Sequence, residues 1–189
     1  KKKFMNGLLI YSREEAKRNA FSIKKYTENL NVKLMLEEDA DFSVNTDFVI
    51  NRTNHFAIAK NFEERGVRVF NPSSLTQLAN NKQACYEFMD KNGIEIMPVH
   101  YDKVPAVKKA VNGKGGTEVF MIQKQEPFQD GFVYQKPASD LGRDLRVWLI
   151  GGRIVCAVLR ESKTDFRANF CLGGKAELYK LNAEEELLV

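Results

Sequence analysis

The chain has 189 residues, 43% of them hydrophobic, and a formal net charge of +4 spread along its length. That is enough chain to bury one or two small cores without staples, and too diffuse a charge to mark a nucleic-acid binder. Three cysteines, Cys85, Cys156 and Cys171, leave one over in any pairing and lack metal-ligand spacing, which points to a reducing, cytoplasmic setting. No apolar run approaches a membrane span, and the run behind Lys1-Lys2-Lys3 is too short for a signal peptide. The chain begins without an initiator Met, and its start is read as processed or unobserved.

Leu8–Tyr11 reads as a short buried strand, and Ser12 with Glu15 as a capping box opening a helix. Val32–Leu36 is the next strand candidate, followed by an acidic loop and a third strand at Asp47–Ile50. Asn54 is placed to cap a helix that carries Phe56, Ala59 and Phe62 on one face and stops at Gly66. Val67–Phe70 is a further strand, closed by Asn71-Pro72. Strands alternating with helices at this spacing predict parallel βαβ packing. Ligands gather beyond the carboxyl ends of such strands, and Asn51, Arg52 and His55 lie just past one. They are candidates for a substrate pocket. Arg52 is the stronger, because a lone His in a first helical turn is more often an ordinary surface residue.

Asn80 and Gln83 form a second capping box, for a helix with Cys85, Phe88 and Met89 on one face and an end at Gly93. Lys82 sits in its first turn, where the helix dipole disfavours a cation. Either it points into water or it helps the helix N-terminus hold a phosphate. Val104–Val111 follows, with Lys109 on the same strand face as Val107, then Asn112-Gly113-Lys114-Gly115-Gly116-Thr117 and the strand Glu118–Ile122. A glycine-rich loop lets backbone N–H groups close over phosphates; a flexible hairpin tip is the bland alternative. It is not a Walker A loop, because a strand follows it. Phe132–Gln135 is another strand and runs into Lys136-Pro137-Ala138.

Leu145–Ile150 and Ile154–Leu159 are separated by Gly151-Gly152, a two-residue loop that supplies the positive φ angles of a type I′ hairpin turn. Arg143, Asp144 and Arg146 open the first strand and Arg160 closes the second. Lys163, Arg167 and Asn169 follow in a loop ending at Gly173-Gly174. A basic cluster at one end of a hairpin suits an anion, since guanidinium groups bind phosphate or carboxylate through two bonds; a solvated charged rim is the alternative. Asn182–Val189 is a capped helix start, too short to be stable alone, so a natural end there is not expected. Glu184–Glu186 reads as charge complementing the helix dipole rather than as a metal site.

In this order the features resemble the ATP-grasp superfamily, most closely its RimK-type carboxylate–amine (alpha-L-glutamate) ligases. The most specific match is Gly142-Arg143-Asp144-Leu145-Arg146, the hairpin, Arg160, and Asp165-Phe166-Arg167-Ala168-Asn169 with Gly173-Gly174. The resemblance implies an α/β chain. Residues 1–79 would be an α/β pre-ATP-grasp domain. Residues 80–131 would supply a linker helix and a small subdomain with the Gly-rich loop, and 132–189 the start of the large subdomain of an α+β ATP-grasp fold. It implies that Lys82 and Lys109 contact ATP phosphates under the loop of Asn112, Gly113, Gly115 and Gly116, and that Gln135, Lys136, Pro137 and Ala138 face the adenine, largely through backbone groups. Asp144 would lie near the nucleotide. Arg146, Arg160, Arg167 and Asn169 would hold phosphate or an acyl-phosphate, and Arg52 would belong to the acceptor or carboxylate pocket. Replacing Lys109 by Ala should then abolish ATP binding with little loss of stability.

The implied activity is Mg²⁺- (or Mn²⁺-) and ATP-dependent formation of an amide or peptide bond through an acyl-phosphate, with release of ADP and phosphate. The substrate would be a small amino acid or peptide; no nucleic acid or membrane partner is implied, and a homo-oligomer is compatible with it. The chain departs from the family in lacking the acidic residue and the later Glu-x-Asn pair that hold the metal, so no metal ligand is assigned here. Two helices usual in the family, between Pro98 and Lys109 and between Ile122 and Phe132, have no room, and Lys136 stands where Glu is usual. The alternative is a truncated, non-catalytic nucleotide-binding module.

Overall fold

A computed structural model describes residues 5–116, 118–169 and 172–189. The chain divides into two compact units, 1–85 and 86–189. In the first unit, β1 (Gly7–Tyr11), β2 (Val32–Leu36), β3 (Phe48–Asn51) and β4 (Arg68–Phe70) form a wholly parallel sheet in the order β2-β1-β3-β4. The connections are α1 (Arg13–Arg18) and α2 (Ala20–Asn29) after β1, and α3 (Phe56–Glu64) after β3. Parallel strands need helices on both faces, and the apolar residues supply both interfaces. Leu8, Ile10, Val49 and Val69 pack on Ile58, Ala59 and Phe62 of α3. On the other side Leu9, Tyr11 and Val32 meet Ala16, Ile23 and Tyr26.

The helix starts refine the sequence reading. Ser12 caps α1 as expected, its Oγ accepting from Glu15 N at 3.3 Å. Asn54 does not cap α3: His55 occupies that position and makes no side-chain cap bond, while Thr53 Oγ1 accepts from His55 N. Asn80 does not open the next helix either. It ends α4 (Ser73–Ala79), an element the sequence reading passed over, and its carboxamide donates back to Thr76 O at 2.8 Å. Asn81 caps α5 (Lys82–Lys91) instead, accepting from Ala84 N at 2.9 Å. Two adjacent asparagines close one helix and start another, a division that spacing alone cannot make.

The second unit holds two antiparallel sheets. One has the order β6-β5-β7, from β5 (Ala106–Ala110), β6 (Val119–Ile122) and β7 (Phe132–Gln135), so it draws on both sides of residue 132. The other, β10-β9-β8, is built from β8 (Arg143–Ile150), β9 (Arg153–Glu161) and β10 (Lys175–Tyr179); β10 was not foreseen. Gly151 and Gly152 have φ of +57° and +74°, the conformation the β8–β9 hairpin turn demands. Asn182 opens α6 (Ala183–Leu187) with a complete capping box to Glu185.

Candidate functional site

Strand alternation places Val107 and Lys109 of β5 on one face of the small sheet, where both line a cleft of about 210 Å³. The Lys109 Nζ donates to Gln135 Oε1 at 2.6 Å. Gln135 ends β7 and is 5% exposed. Its Nε2 donates to Met97 O at 2.7 Å, which fixes the carboxamide with its oxygen toward the lysine. The ammonium also lies 5.9 Å from the Tyr86 ring centroid. Residues 97–100 run beside β7: His100 N donates to Tyr134 O and Lys136 N to Pro98 O. The Lys136 N–H is therefore already engaged. Lys136 and Ala138 line the cleft, and Pro137 is not among its lining residues.

The opposite wall comes from the start of β8 and the loop after β9. Gly142 joins them: its N–H donates to Phe166 O and its carbonyl accepts from Ser162 N. It has φ of +71°, and a Cβ there would stand 2.6 Å from Ser162 O and 2.8 Å from Asp165 O. Only glycine fits. Next to it, Asp144 lines the cleft and faces Arg160 directly across the ladder. The guanidinium holds both carboxylate oxygens, with Nε–Oδ1 at 2.7 Å. Arg160 is not among the lining residues, so its charge is matched behind the cleft wall. Arg146, two residues along β8, has its guanidinium 6.0 Å from the Trp148 ring and does not line the cleft.

Arg167 and Asn169 reach across to the glycine-rich loop. Asp165 grips Arg167 through Nε (2.9 Å) and Nη2 (2.7 Å) and also accepts its backbone N–H at 2.8 Å. These bonds hold the Asp165 carboxyl at about 2, well below the usual carboxylate range. The outer nitrogen, Nη1, then donates to Gly116 O at 2.6 Å, with Val119 O at 3.4 Å. Asn169 Nδ2 donates to Gly115 O at 3.0 Å. The loop is thus tied to this wall by its carbonyls, and backbone N–H groups are the chemistry such a loop can offer an anion. Thr117, Cys171 and Phe170 lie outside the described residues.

Eight of the residues picked out from sequence meet in this cleft: Lys109, Gly116, Gln135, Lys136, Ala138, Asp144, Arg167 and Asn169. Asn112, Gly113 and Gly115 belong to the loop above it without lining it. Arg52 lies in the first unit, exposed after β3, and Lys82 opens α5 on that unit's side of the division. The sequence reading gave no role to Asp165, Gly142, Tyr86 or Met97. The two-residue spacing of Asp165 and Arg167 was the one available signal, since an Asp readily bonds the backbone two residues on.

A lysine, loop amides and a guanidinium beside apolar Val107, Val119 and Phe166 fit the phosphates and the flat apolar ring of a nucleotide. A divalent cation is not similarly provided for. The carboxylates of Asp140, Asp144 and Asp165 are paired with Arg143, Arg160 and Arg167, and no cluster of three possible metal ligands exists among the described residues. These carboxylates do not fit Mg²⁺ or Mn²⁺.

The family model described as RimK-like ATP-grasp domain matches residues 72–189. The chain is 28% identical over 156 residues to the probable alpha-L-glutamate ligase of Trichodesmium erythraeum, an alignment spanning 68% of this chain and 52% of that protein. It is 27% identical over 229 residues to the coenzyme gamma-F420-2:alpha-L-glutamate ligase of Methanocaldococcus jannaschii, spanning 97% and 78% respectively. Among solved structures, the RimK domain protein ATP-grasp from Sphaerobacter thermophilus superposes with a TM-score of 0.63 at 13% identity, over 87% of this chain and 75% of that one. At that identity the likeness is one of fold.

Proposed function

Since the chain belongs to the RimK-like ATP-grasp family, we propose that it acts in an ATP-dependent carboxylate–amine ligase, its second unit binding the nucleotide. The observation that carries this reading is the convergence of Lys109, the glycine-rich loop, Arg167 and Asn169 on one cleft. In the reaction, a substrate carboxylate oxygen attacks the γ-phosphorus of ATP and expels ADP. An amine then attacks the acyl carbon, the phosphate leaves, and an amide forms with loss of the amine proton.

The protein's part is positioning and charge neutralisation. Lys109 supplies a cation whose place is set by Gln135, and Arg167 one whose place is set by Asp165. Lys82 would add a second ammonium, and Asn112, Gly113, Gly115 and Gly116 the backbone that covers phosphate. Lys136, Pro137 and Ala138 would flank the base. Asp144 would border the nucleotide, its charge tempered by Arg160. Arg146 is assigned the least direct role, on the Trp148 side of β8. The substrate class is an amino acid or peptide in a cytoplasmic setting. No helix among the described residues is long and apolar enough to cross a membrane. Mg²⁺ or Mn²⁺ would need ligands other than the three paired aspartates.

A second reading, a nucleotide-binding module without turnover, is favoured by that mismatch of carboxylates and metal. Titration calorimetry with ADP tests both. Saturable binding that Lys109→Ala abolishes supports nucleotide binding, and its absence sinks both readings. Phosphate release from ATP that rises on adding L-glutamate supports the ligase; binding without such release leaves the module.

A further inference from the structure

Residues 123–131 join β6 to β7 without a helix or strand of their own, yet their side chains are anchored on the face of the small sheet that points away from the cleft. Alternation along β5 sends Lys108 to the face opposite Lys109, and along β7 it sends Tyr134 opposite Gln135. Lys108 and Tyr134 stand directly across the ladder from each other, and the connection closes over them. Lys108 Nζ donates to Glu126 Oε1 at 2.8 Å and to Gln129 Oε1 at 2.6 Å, and it lies 4.8 Å from the Phe132 ring centroid. The Tyr134 hydroxyl donates to the same Glu126 oxygen at 3.3 Å. Two oxygens and a ring face surround the ammonium, and the Lys108 side chain is 12% exposed, so it serves as an anchor for the connection. Their shared hydrogen bond raises the Lys108 ammonium above its usual value and holds the Glu126 carboxyl below the usual carboxylate range.

Phe128 is a second anchor. Its ring stands edge-on to Tyr101, centroids 4.9 Å apart, and lies 5.8 Å from Tyr134. Tyr101 directly follows the stretch 97–100 that runs beside β7, and Met97 O in that stretch fixes the Gln135 carboxamide that faces Lys109. Glu126 therefore ties β5 to β7 on one face of the sheet, where Lys109 and Gln135 tie the same two strands on the other. Phe128 bears on the chain that orients Gln135.

We infer that residues 126–129 are a strap that sets the Lys109–Gln135 pair from behind, with Glu126 as a positioning residue for the cleft. A binding group works only when the groups behind it hold it in place. Removing the Glu126 carboxylate leaves a nearly buried ammonium with Gln129 as its remaining oxygen partner and frees the Tyr134 hydroxyl, so the strap lifts from both strands. The placement of the pair stands on these contacts; its consequence for ADP rests on the nucleotide reading above.

Glu126→Ala, Glu126→Gln and Phe128→Ala can be compared with the parent chain by ADP titration calorimetry, under conditions where denaturant unfolding shows each to be folded. The Gln135 side-chain amide of the ¹⁵N-labelled chains is followed by NMR without nucleotide. Glu126→Ala should move the Gln135 signals and weaken ADP binding at least about threefold. Glu126→Gln, which keeps an oxygen for Lys108, should lose less. Phe128→Ala alters a half-exposed position and should move both readouts in the same direction, which keeps the test open if Glu126→Ala does not fold. ADP affinity within about threefold of the parent, or Gln135 signals that stay in place, overturns the inference whatever the unfolding midpoints do, since a merely structural strap would lower only the midpoints. A loss that Glu126→Gln shares in full also overturns it, because the anchoring oxygen is kept. A parent chain that binds no ADP defeats the nucleotide reading instead, and the Gln135 signals alone then decide the strap.

Discussion

Arg167→Lys should release the glycine-rich loop. The arginine spans Asp165 and the loop with three nitrogens: Nε and Nη2 on the carboxylate, Nη1 on Gly116 O at 2.6 Å. A lysine keeps the charge but has one nitrogen, which can serve Asp165 or the loop and not both. Hydrogen bonds to charged groups contribute about 1.5–3 kcal/mol, and the second contact, to Val119 O at 3.4 Å, adds little. Losing the Gly116 bond should therefore raise the open population of the loop on the order of 10- to 100-fold. Asn169→Ala removes one neutral bond, to Gly115 O, and should raise it about 2- to 10-fold. Hydrogen exchange at the amides of residues 112–116, measured without nucleotide, reads the difference directly. Exchange unchanged in both variants would refute the claim that these side chains hold the loop.

Lys109→Ala should abolish nucleotide binding and also lower stability by about 1–3 kcal/mol, because Gln135 Oε1 is buried and loses its donor. Denaturant unfolding checks this, and equal midpoints for variant and parent would contradict it. This departs from the expectation of little stability loss drawn from the sequence, because the sequence gives no sign of the pairing with Gln135. Asp165 is held at about 2 in the folded chain against about 3.8 in the unfolded one. Its contribution, about 1–2 kcal/mol after solvent screening, is present above the unfolded value and is lost as pH falls through the folded one. Stability should fall between about pH 4 and pH 2, and Asp165→Asn should flatten that limb; an unchanged limb would count against the Arg167 pairing. Gly142→Ala should cost about 3 kcal/mol or more, because the added methyl meets two carbonyl oxygens at a positive φ. A loss under about 0.5 kcal/mol would show that the 162–166 loop yields freely.

Much of the fold was legible because its signals are local. The β8–β9 turn follows from two adjacent glycines, and the parallel sheet from strands buried on both faces and separated by helix-length segments. Lys109 was placed correctly because alternation along β5 is a property of the strand itself. What escaped was set by tertiary partners. The pairing of Arg160 with Asp144 directly across the ladder has no sequence signal. Asp165 belongs to the matching motif, but its grip on Arg167 is a contact that the motif does not spell out. The bonds from Arg167 and Asn169 to Gly116 and Gly115 span 51 and 54 residues, and no periodicity encodes them. Lys136 in place of the usual acid is plain in the sequence, but the use of its N–H by Pro98 depends on residues 97–100 lying along β7.

The central claim, that the cleft between β5 and the 162–169 loop binds a nucleotide through Lys109, is tested most directly by ADP titration calorimetry of the parent chain, Lys109→Ala and the double variant Lys109→Met/Gln135→Leu. The double variant replaces the polar pair with apolar groups of similar size, so no Gln135 Oε1 is left without its donor and only the Met97 O contact is given up, while the cation is not restored. The account predicts one saturable site in the parent and none in either variant, including the double one. ADP binding that survives in the double variant would contradict it.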